Sequence, residues 1–183
     1  MRSGEAFDSV LAAAKTGAEW AFGALYDDYN PRLLRYFAAR APRAAEDLAA
    51  DTWMGVASRL GSFEGDEEQF RSWLFTIAHR RLVDHWRQRS QEEADMASPG
   101  PETAAEGPED LVVGAASAQA AALRIAAVLS PDQAEVVLLR VLGGLDVEQV
   151  AEILGKRPGT IRVLQHRALK KLADEISLED VTG

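Results

Sequence analysis

The stretch from residue 145 to residue 172 constrains the fold of this chain most, because its pattern predicts two short helices joined by a tight turn. In the first half, apolar residues recur at three- and four-residue spacing and form one face of a helix: Val147, Val150, Ala151 and Leu154. Gly155 supplies the permissive backbone at which that helix can end. Pro158 suits the first position of the second helix, where its missing N–H loses no hydrogen bond.

The second predicted helix is apolar on one side and cationic on the other. Its basic residues lie between positions 156 and 171, and no acidic residue interrupts them: Lys156, Arg157, Arg162, Arg167, Lys170 and Lys171. The whole chain, in contrast, has a formal net charge of −9. A cationic helix after a tight turn is what a helix-turn-helix places in the major groove of DNA, so we predict DNA binding here. An ordinary helical hairpin with a solvated basic face is the alternative.

The composition favours an all-α fold. Hydrophobic residues make up 47% of the 183 residues but aromatic residues only 7%, and no alternating strand pattern of useful length occurs. A chain of this length can form one sizeable domain or two small ones. The absence of cysteine excludes disulfides, thiol nucleophiles and cysteine-ligated metal sites. No segment is apolar enough for a signal peptide or a membrane span, so we expect a cytoplasmic protein without membrane insertion.

Charge is unevenly distributed along the chain and indicates where it divides. Residues 70–89 contain five arginines and one acid, whereas residues 91–110 contain seven acids and no base. The segment 91–107 is also rich in Glu, Ala, Pro, Ser and Gly, which is typical of a flexible linker. We therefore expect two small helical domains, at residues 1–90 and 111–183, joined by an acidic flexible linker at residues 91–110.

Two apolar stripes predict helices before residue 61. The first helix runs from about Phe7 to Arg40, with Asn30-Pro31 as the place where it would break, and its stripe is Trp20, Leu25, Tyr29, Leu33 and Phe37. The second spans residues 44–60, with the stripe Leu48, Thr52, Val56 and Leu60. The start of the second helix carries three acids, which either complement the helix dipole or form a docking face for a basic partner: Glu46, Asp47 and Asp51.

Aromatic residues interleave with arginines in the predicted helix at residues 70–89. This combination offers stacking surfaces beside phosphate-binding charge, as proteins that bind single-stranded nucleic acid do. Helical spacing explains four of the apolar residues as core instead: Phe70, Trp73, Leu74 and Ile77. The arginines and His79 are not explained by core packing. Phe63, in the glycine-containing loop before this helix, is either anchored in the core or available for stacking.

Metal binding and catalysis are not expected. His79 and His85 are six residues apart, which puts them about 120° apart around a helix. Asp84 is better placed to pair with Arg80 at i, i+4 spacing. Metalloprotease patterns and phosphate-binding glycine loops do not occur. We therefore predict a protein that is not an enzyme and has neither a metal nor another cofactor.

Local signals also delimit the helix that precedes the helix-turn-helix. Ser130-Pro131, with Gln133 three residues after the serine, predicts a helix start with a capping box. The next core candidates are Val136, Leu139, Val141 and Leu142. Gly143-Gly144 then turns the chain. Before this helix, the helical pattern resumes at about residues 108–129.

This order of segments resembles the extracytoplasmic-function sigma factors of bacterial RNA polymerase. The resemblance lies in AEDLAADTW at residues 45–53, in the aromatic and arginine helix at 70–89, and in LSPDQAEVV through ALKKL at 129–172. It implies a promoter-specificity subunit that binds core RNA polymerase, recognises the minus-ten and minus-thirty-five elements as duplex and melted non-template strand, and promotes melting. It also implies an anti-sigma partner.

The resemblance further implies roles for individual residues. Docking on the polymerase is expected of Glu46, Asp47, Asp51 and Trp53. The minus-ten element would be contacted by Ser62, Phe63, Glu64, Arg71, Thr76, His79, Arg80 and Arg87. The minus-thirty-five element would be contacted by Arg157, Thr160, Arg162, Val163, His166, Arg167, Lys170 and Lys171. A stand-alone helix-turn-helix regulator that acts without stable polymerase association is the alternative, but it leaves the helix at residues 70–89 without an obvious duty.

Overall fold

The computed structural model describes residues 4–95 and 116–182, and in that part of the chain it contains eight α-helices and no β-strand. The helices are α1 (Gly4–Lys15), α2 (Glu19–Arg40), α3 (Ala45–Ala57), α4 (Glu67–Asp95), α5 (Ala116–Val128), α6 (Pro131–Val141), α7 (Val147–Leu154) and α8 (Pro158–Thr182). Short 3-10 turns at Pro42–Ala44 and Leu60–Ser62 flank α3. The predicted all-α class is confirmed. Most of the predicted linker at residues 91–110 lies outside the described residues, and its first residues belong to α4.

Helices α1 to α4 form one bundle, which we call the N-terminal bundle, around a core rich in aromatic rings. Phe70 of α4 lies at its centre, with its ring centroid 5.5 Å from that of Phe7 on α1 and 5.3 Å from that of Tyr29 on α2. All three rings are buried. Aromatic pairs at such tilted geometry add about 0.5–1.5 kcal/mol each beyond the area that they bury, so they fix α1 and α2 against α4.

The break between the first two helices is not where the sequence placed it. Helix α2 continues through Pro31, and the break lies at Gly17, whose φ of +87° is in the left-handed region. The N–H groups of Thr16 and Gly17 bond to the carbonyls of Ala13 and Ala14, which closes the end of α1. A glycine at positive φ ends a helix without strain, whereas Pro31 is exposed and removes one hydrogen bond from a helix that packing holds in place.

The predicted apolar stripes are largely the observed core. All four stripe residues of α3 and its following turn are buried, and the Thr52 hydroxyl, which would be costly to bury alone, donates to the Leu48 carbonyl at 2.7 Å. In α2 the predicted stripe is buried except at Trp20, which is 64% exposed. Trp20 lies in the first turn of α2, at the edge of the stripe.

Helices α5 to α8 form a second bundle, the C-terminal bundle, in which α6 begins at the predicted capping box, α7 ends at the predicted glycine and α8 begins at the predicted proline. Ser130 caps α6 in a capping box with Gln133, and Asp146 does the same for α7 with Gln149. Gly155 ends α7 with φ +60°. The turn before α7 needs glycine for space as well, because a Cβ on Gly143 would lie 2.6 Å from the Leu139 carbonyl oxygen.

The two bundles pack against each other. Helix α5 lies along α2 as well as α6, and α7 touches α4. One continuous cluster of buried apolar residues includes members of both bundles, such as Phe75 of α4 and Leu139 of α6. The helix-turn-helix is therefore held close to α4. Among the described helices, none is both long and apolar enough to span a membrane.

Candidate nucleic-acid interface

Helix α8 and the turn before it present every predicted minus-thirty-five residue to solvent. Ile161 and Ala168 are fully buried and anchor α8 on the rest of the C-terminal bundle. The residues away from these anchors are exposed, as is Arg157 just before the helix: Arg157, Thr160, Arg162, Val163, His166, Arg167, Lys170 and Lys171. The arrangement gives an exposed, mostly cationic surface of the kind that a helix-turn-helix presents to DNA.

Acidic partners hold two of the basic side chains beside this surface. A nitrogen of the Arg162 guanidinium lies 2.7 Å from the Glu148 carboxylate on α7, and the Lys156 ammonium lies 3.0 Å from Asp132 on α6. The Arg162 pair is well exposed on both sides. Exposed pairs contribute little to stability, so the effect of Glu148 is chiefly to orient the guanidinium.

The predicted minus-ten residues are divided between exposed and partly buried positions. Ser62, Glu64, Arg80 and Arg87 are exposed. The partly buried ones are Phe63, Arg71, Thr76 and His79. The structure thus brings them to one loop and one helix, but most of the side chains already have partners in the fold, including the exposed Ser62 and Arg87.

Phe63 is packed rather than free. Its ring centroid lies 4.9 Å from that of Trp73 and 5.7 Å from that of Phe70, and the ammonium of Lys15 donates to the Phe63 carbonyl at 2.7 Å. The ring remains partly accessible. Of the two interpretations left open by the sequence, core anchoring describes this state, and the accessible part of the ring is what stacking could use.

Polar side chains on α4 are also engaged. The Thr76 hydroxyl donates to the Ser72 carbonyl at 2.7 Å. Asp84 pairs with Arg87 at 3.4 Å, whereas the sequence spacing had predicted a pair with Arg80. Side chains at i, i+3 and at i, i+4 are both neighbours on a helix. In α4 the i, i+3 pair between Asp84 and Arg87 forms.

His79 takes part in a buried polar cluster that joins the bundles. Its Nδ1 lies 3.0 Å from Glu135 Oε1 and 3.3 Å from the Tyr36 hydroxyl. The Tyr36 hydroxyl donates to the same Glu135 oxygen, and Arg40 Nε donates to Glu135 Oε2 at 2.8 Å. The Arg40 guanidinium also lies over the Trp86 ring, 4.8 Å from its centroid. Sequence reasoning missed Glu135, although an acid inside the apolar run AEVVLL is a signal of a buried partner.

The electrostatics of this cluster favour the carboxylate form of Glu135. Burial acts to raise the pKa of this carboxyl, but hydrogen bonds from His79 and Tyr36 and the charge of Arg40 outweigh burial and hold the pKa below its ordinary value. Burial, and then the neighbouring Glu135 charge, raises the pKa of Tyr36 well above its ordinary value, so the phenol remains a proton donor.

The predicted polymerase-docking residues lie on α3. Glu46, Asp47 and Asp51 are exposed. Trp53 is 5% exposed, packs against Tyr26 at a centroid distance of 5.2 Å, and donates its indole N–H to the Asn30 side chain at 3.2 Å. A buried indole can support docking only by holding its neighbours in place. Met54 beside it is 63% exposed.

No group of three or more His, Cys, Asp or Glu side chains that could hold a metal ion occurs among the residues for which side chains are described. The described part of the chain therefore offers charge, stacking surface and hydrogen-bond donors, and these suit recognition of nucleic acid.

Comparison with known proteins identifies both bundles. Residues 25–92 match the family model for Sigma-70 region 2, and residues 119–172 match that for Sigma-70, region 4. The chain is 37% identical over 168 residues to the ECF RNA polymerase sigma factor BldN of Streptomyces coelicolor, which covers 90% of this chain and 63% of BldN. It is 31% identical over 181 residues to the ECF RNA polymerase sigma factor SigD of Mycobacterium tuberculosis, covering 94% of this chain and 85% of SigD.

Two solved structures are similar to this chain in fold. The sigma factor RpoE of Bartonella quintana, in complex with the anti-sigma factor NepR, matches with a TM-score of 0.66 and 28% identity, covering 85% of this chain and 96% of RpoE. CnrH, in complex with the cytosolic domain of CnrY, matches with a TM-score of 0.60 and 20% identity over 92% of this chain and 96% of CnrH. The second likeness shows the fold alone.

Proposed function

The chain belongs to the extracytoplasmic-function sigma factors, the promoter-recognition subunits of RNA polymerase, and from this premise we propose how its parts divide that work. Helix α8 binds the minus-thirty-five element, α4 and the Phe63 loop bind and hold open the minus-ten element, and the acidic face of α3 docks on core polymerase. The protein is not an enzyme on its own. It works in the cytoplasm, where its polymerase is.

The observation that carries this proposal is the exposed cationic face of α8 and the turn before it, with all eight predicted contact residues accessible on a chain of net charge −9. Its N-terminal residues would face base edges, as in other helix-turn-helix proteins, and Lys170 and Lys171 would contact phosphate. Each good bidentate contact to a base contributes about 1–3 kcal/mol of discrimination.

The domain limits belong to the proposal as well. The family matches at residues 25–92 and 119–172 fall within the expected domains at 1–90 and 111–183, apart from two residues at the end of the first match. That overhang agrees with α4, which continues as helix to Asp95.

An anti-sigma protein is the second proposed partner. It is supported by the RpoE match, since that sigma factor is 28% identical to this chain and was solved with an anti-sigma factor. In this chain the exposed side chains around α2 and α3, Trp20, Tyr26 and Met54, offer apolar surface for such a protein.

Reconstituted transcription tests the proposed function. The purified chain is added to core RNA polymerase and genomic DNA of its source, and the 5′ ends of the transcripts are sequenced. We expect a small set of new start sites that share two upstream elements and that require both proteins. Specific binding of duplex DNA by the chain alone, without any new start site in the presence of polymerase, would contradict the proposal and favour a stand-alone regulator.

A further inference from the structure

The polar groups that meet between α2, α4 and α6 form a built binding site for a carboxylate. We propose that Tyr36, Arg40 and His79 are a carboxylate site on the N-terminal bundle, and that Glu135 of the same chain occupies it to hold the C-terminal bundle over α4. Release of Glu135 would free α4 for the promoter strand. This last step rests on the proposed function of α4.

The geometry uses both oxygens of the carboxylate. Oε2 accepts from Arg40 Nε at 2.8 Å, while Oε1 accepts from the Tyr36 hydroxyl and lies 3.0 Å from His79 Nδ1. Three side chains of one bundle therefore converge on one side chain of the other. Arg40 is itself held by the face of Trp86, so the site is formed by α2 and α4 alone.

A gain in folding stability does not by itself explain these buried polar side chains. Tyr36 is fully buried and Glu135 is 4% exposed, and a buried ion pair is often no more stabilising than apolar side chains of the same volume. Apolar residues surround Glu135 on α6, namely Ala134, Val136 and Val137. A polar contact in that setting specifies one arrangement of the two bundles, and water can replace it when they separate.

The contact also competes with the proposed use of α4. His79 is one of the predicted minus-ten residues, and its Nδ1 is engaged by Glu135. Arg71, another of them, lies under the turn before α7, where a Cβ on Gly144 would be 3.9 Å from its Nε. A further polar contact between α7 and α4 is exposed, from the Gln149 side-chain amide to Glu68 at 3.3 Å. Glu135 is thus a buried polar contact that keeps this part of α4 covered.

A distance measurement between the bundles tests the site directly. The sequence has no cysteine, so spin labels can be attached at Ser58→Cys and Glu152→Cys, which are exposed positions on the two bundles. We expect one narrow distance distribution in the parent chain and a longer, broader one in Glu135→Gln, which places an amide N–H against the donors. Asp132→Asn is the matched control, because it neutralises an exposed acid on the same helix, and it should leave the distribution unchanged.

A second variant keeps the proposal testable if Glu135→Gln does not fold. Tyr36→Phe removes one donor and keeps the buried ring, so it should lengthen the distance in the same direction but less. Far-UV circular dichroism is recorded for every variant. If Glu135→Gln loses helix, the distance distribution of Tyr36→Phe is used to test the proposal instead. A distance distribution in the folded variants that matches the parent would overturn the proposal.

The second readout is the binding of a fluorescent single-stranded oligonucleotide. Its sequence is the minus-ten element identified in the transcription experiment. If the closed arrangement leaves about one molecule in ten competent, Glu135→Gln should bind about tenfold more tightly. Longer distances without tighter binding would count against α4 as the strand-binding helix, while the carboxylate site would stand. Unchanged distances would count against the site whatever the oligonucleotide does.

Discussion

Arg162 shows how a single side chain is prepared for recognition. Its guanidinium is exposed and lies 2.7 Å from Glu148 on the preceding helix, so this pair favours one direction of the side chain from α8. Glu148 is a positioning residue in this respect, and Arg167, one turn and one residue further along α8, extends the same cationic face.

We predict that Arg162→Ala combined with Arg167→Ala abolishes promoter-specific transcription and leaves binding to core polymerase intact. Each lost base contact costs about 1–3 kcal/mol, and neither side chain supports the core. Run-off transcription and polymerase pull-down are the measurements. Arg89→Ala, an exposed arginine outside the predicted contacts, is the control. Undiminished promoter-dependent transcription in the double variant would show that α8 is not the recognition helix.

The pKa of Glu135 predicts how the stability of the chain depends on pH. Its pKa in the folded chain is below the ordinary value of 4.5, because hydrogen bonds from His79 and Tyr36 and the charge of Arg40 outweigh burial. A carboxyl with a lowered pKa adds stability that is complete above the unfolded pKa and is lost as pH falls through the folded one. The difference in melting temperature between the parent and Glu135→Gln should therefore shrink as the pH falls below about 4.5. A difference that grew below that pH would contradict this sign.

Helix α3 presents charge on one side and core on the other, so the two roles can be separated by mutation. Reversal of charge by Asp47→Lys with Asp51→Lys should weaken binding to core polymerase without unfolding the N-terminal bundle, because both side chains are exposed and surface charges seldom decide stability. Binding is measured by titration against labelled polymerase, with Asp8→Lys on α1 as the control. Parent-like affinity would place the docking face elsewhere.

Helix α4 and the loop before it are expected to act on the melted strand. A protein sustains a melted segment only by offering stacking surface and phosphate charge to the freed strand. Phe63→Ala with Arg80→Ala should therefore impair open-complex formation on a duplex promoter, and much less on a template mismatched across the minus-ten region. Permanganate footprinting of thymines reports both.

The packing of Phe63 against Trp73 calls for one further comparison. Arg80→Ala alone removes an exposed charge without disturbing that ring pair, so it should reproduce part of the defect with an unchanged melting temperature. Equal defects on the duplex and the mismatched template would mean that these residues support the fold or the polymerase contact.

Local signals in the sequence predicted the elements well where the cause was local. Ser130 with Gln133 marked a capping box, and Gly155 and Pro158 marked the turn of the helix-turn-helix. Proline misled at Pro31, because packing of α2 overrides a single lost hydrogen bond, and the break fell instead at Gly17. Glycine conformation is also local, but an isolated Thr-Gly pair is a weaker signal than Asn-Pro.

At the scale of the whole molecule, the arrangement of the bundles could not be predicted from sequence patterns. Tyr36, His79 and Glu135 are separated by 43 and 56 residues along the chain, and no periodicity links them. The candidate site on α8 was predictable because a single helix carries it. The state of α4 was not, because its accessibility depends on a residue in the other bundle.

The connection between the bundles determines how the Glu135 contact responds to concentration. Helix α4 ends at Asp95 and α5 begins at Ala116. Residues 96–115 therefore connect the carboxylate site on the N-terminal bundle to Glu135, which binds in it. Two groups of one chain meet at an effective concentration that does not depend on how much of the protein is present. Dilution of the protein should not open the bundles. A competing partner must instead match that effective concentration with its own affinity, so the amount of partner, rather than of this chain, would set how much of the protein is open.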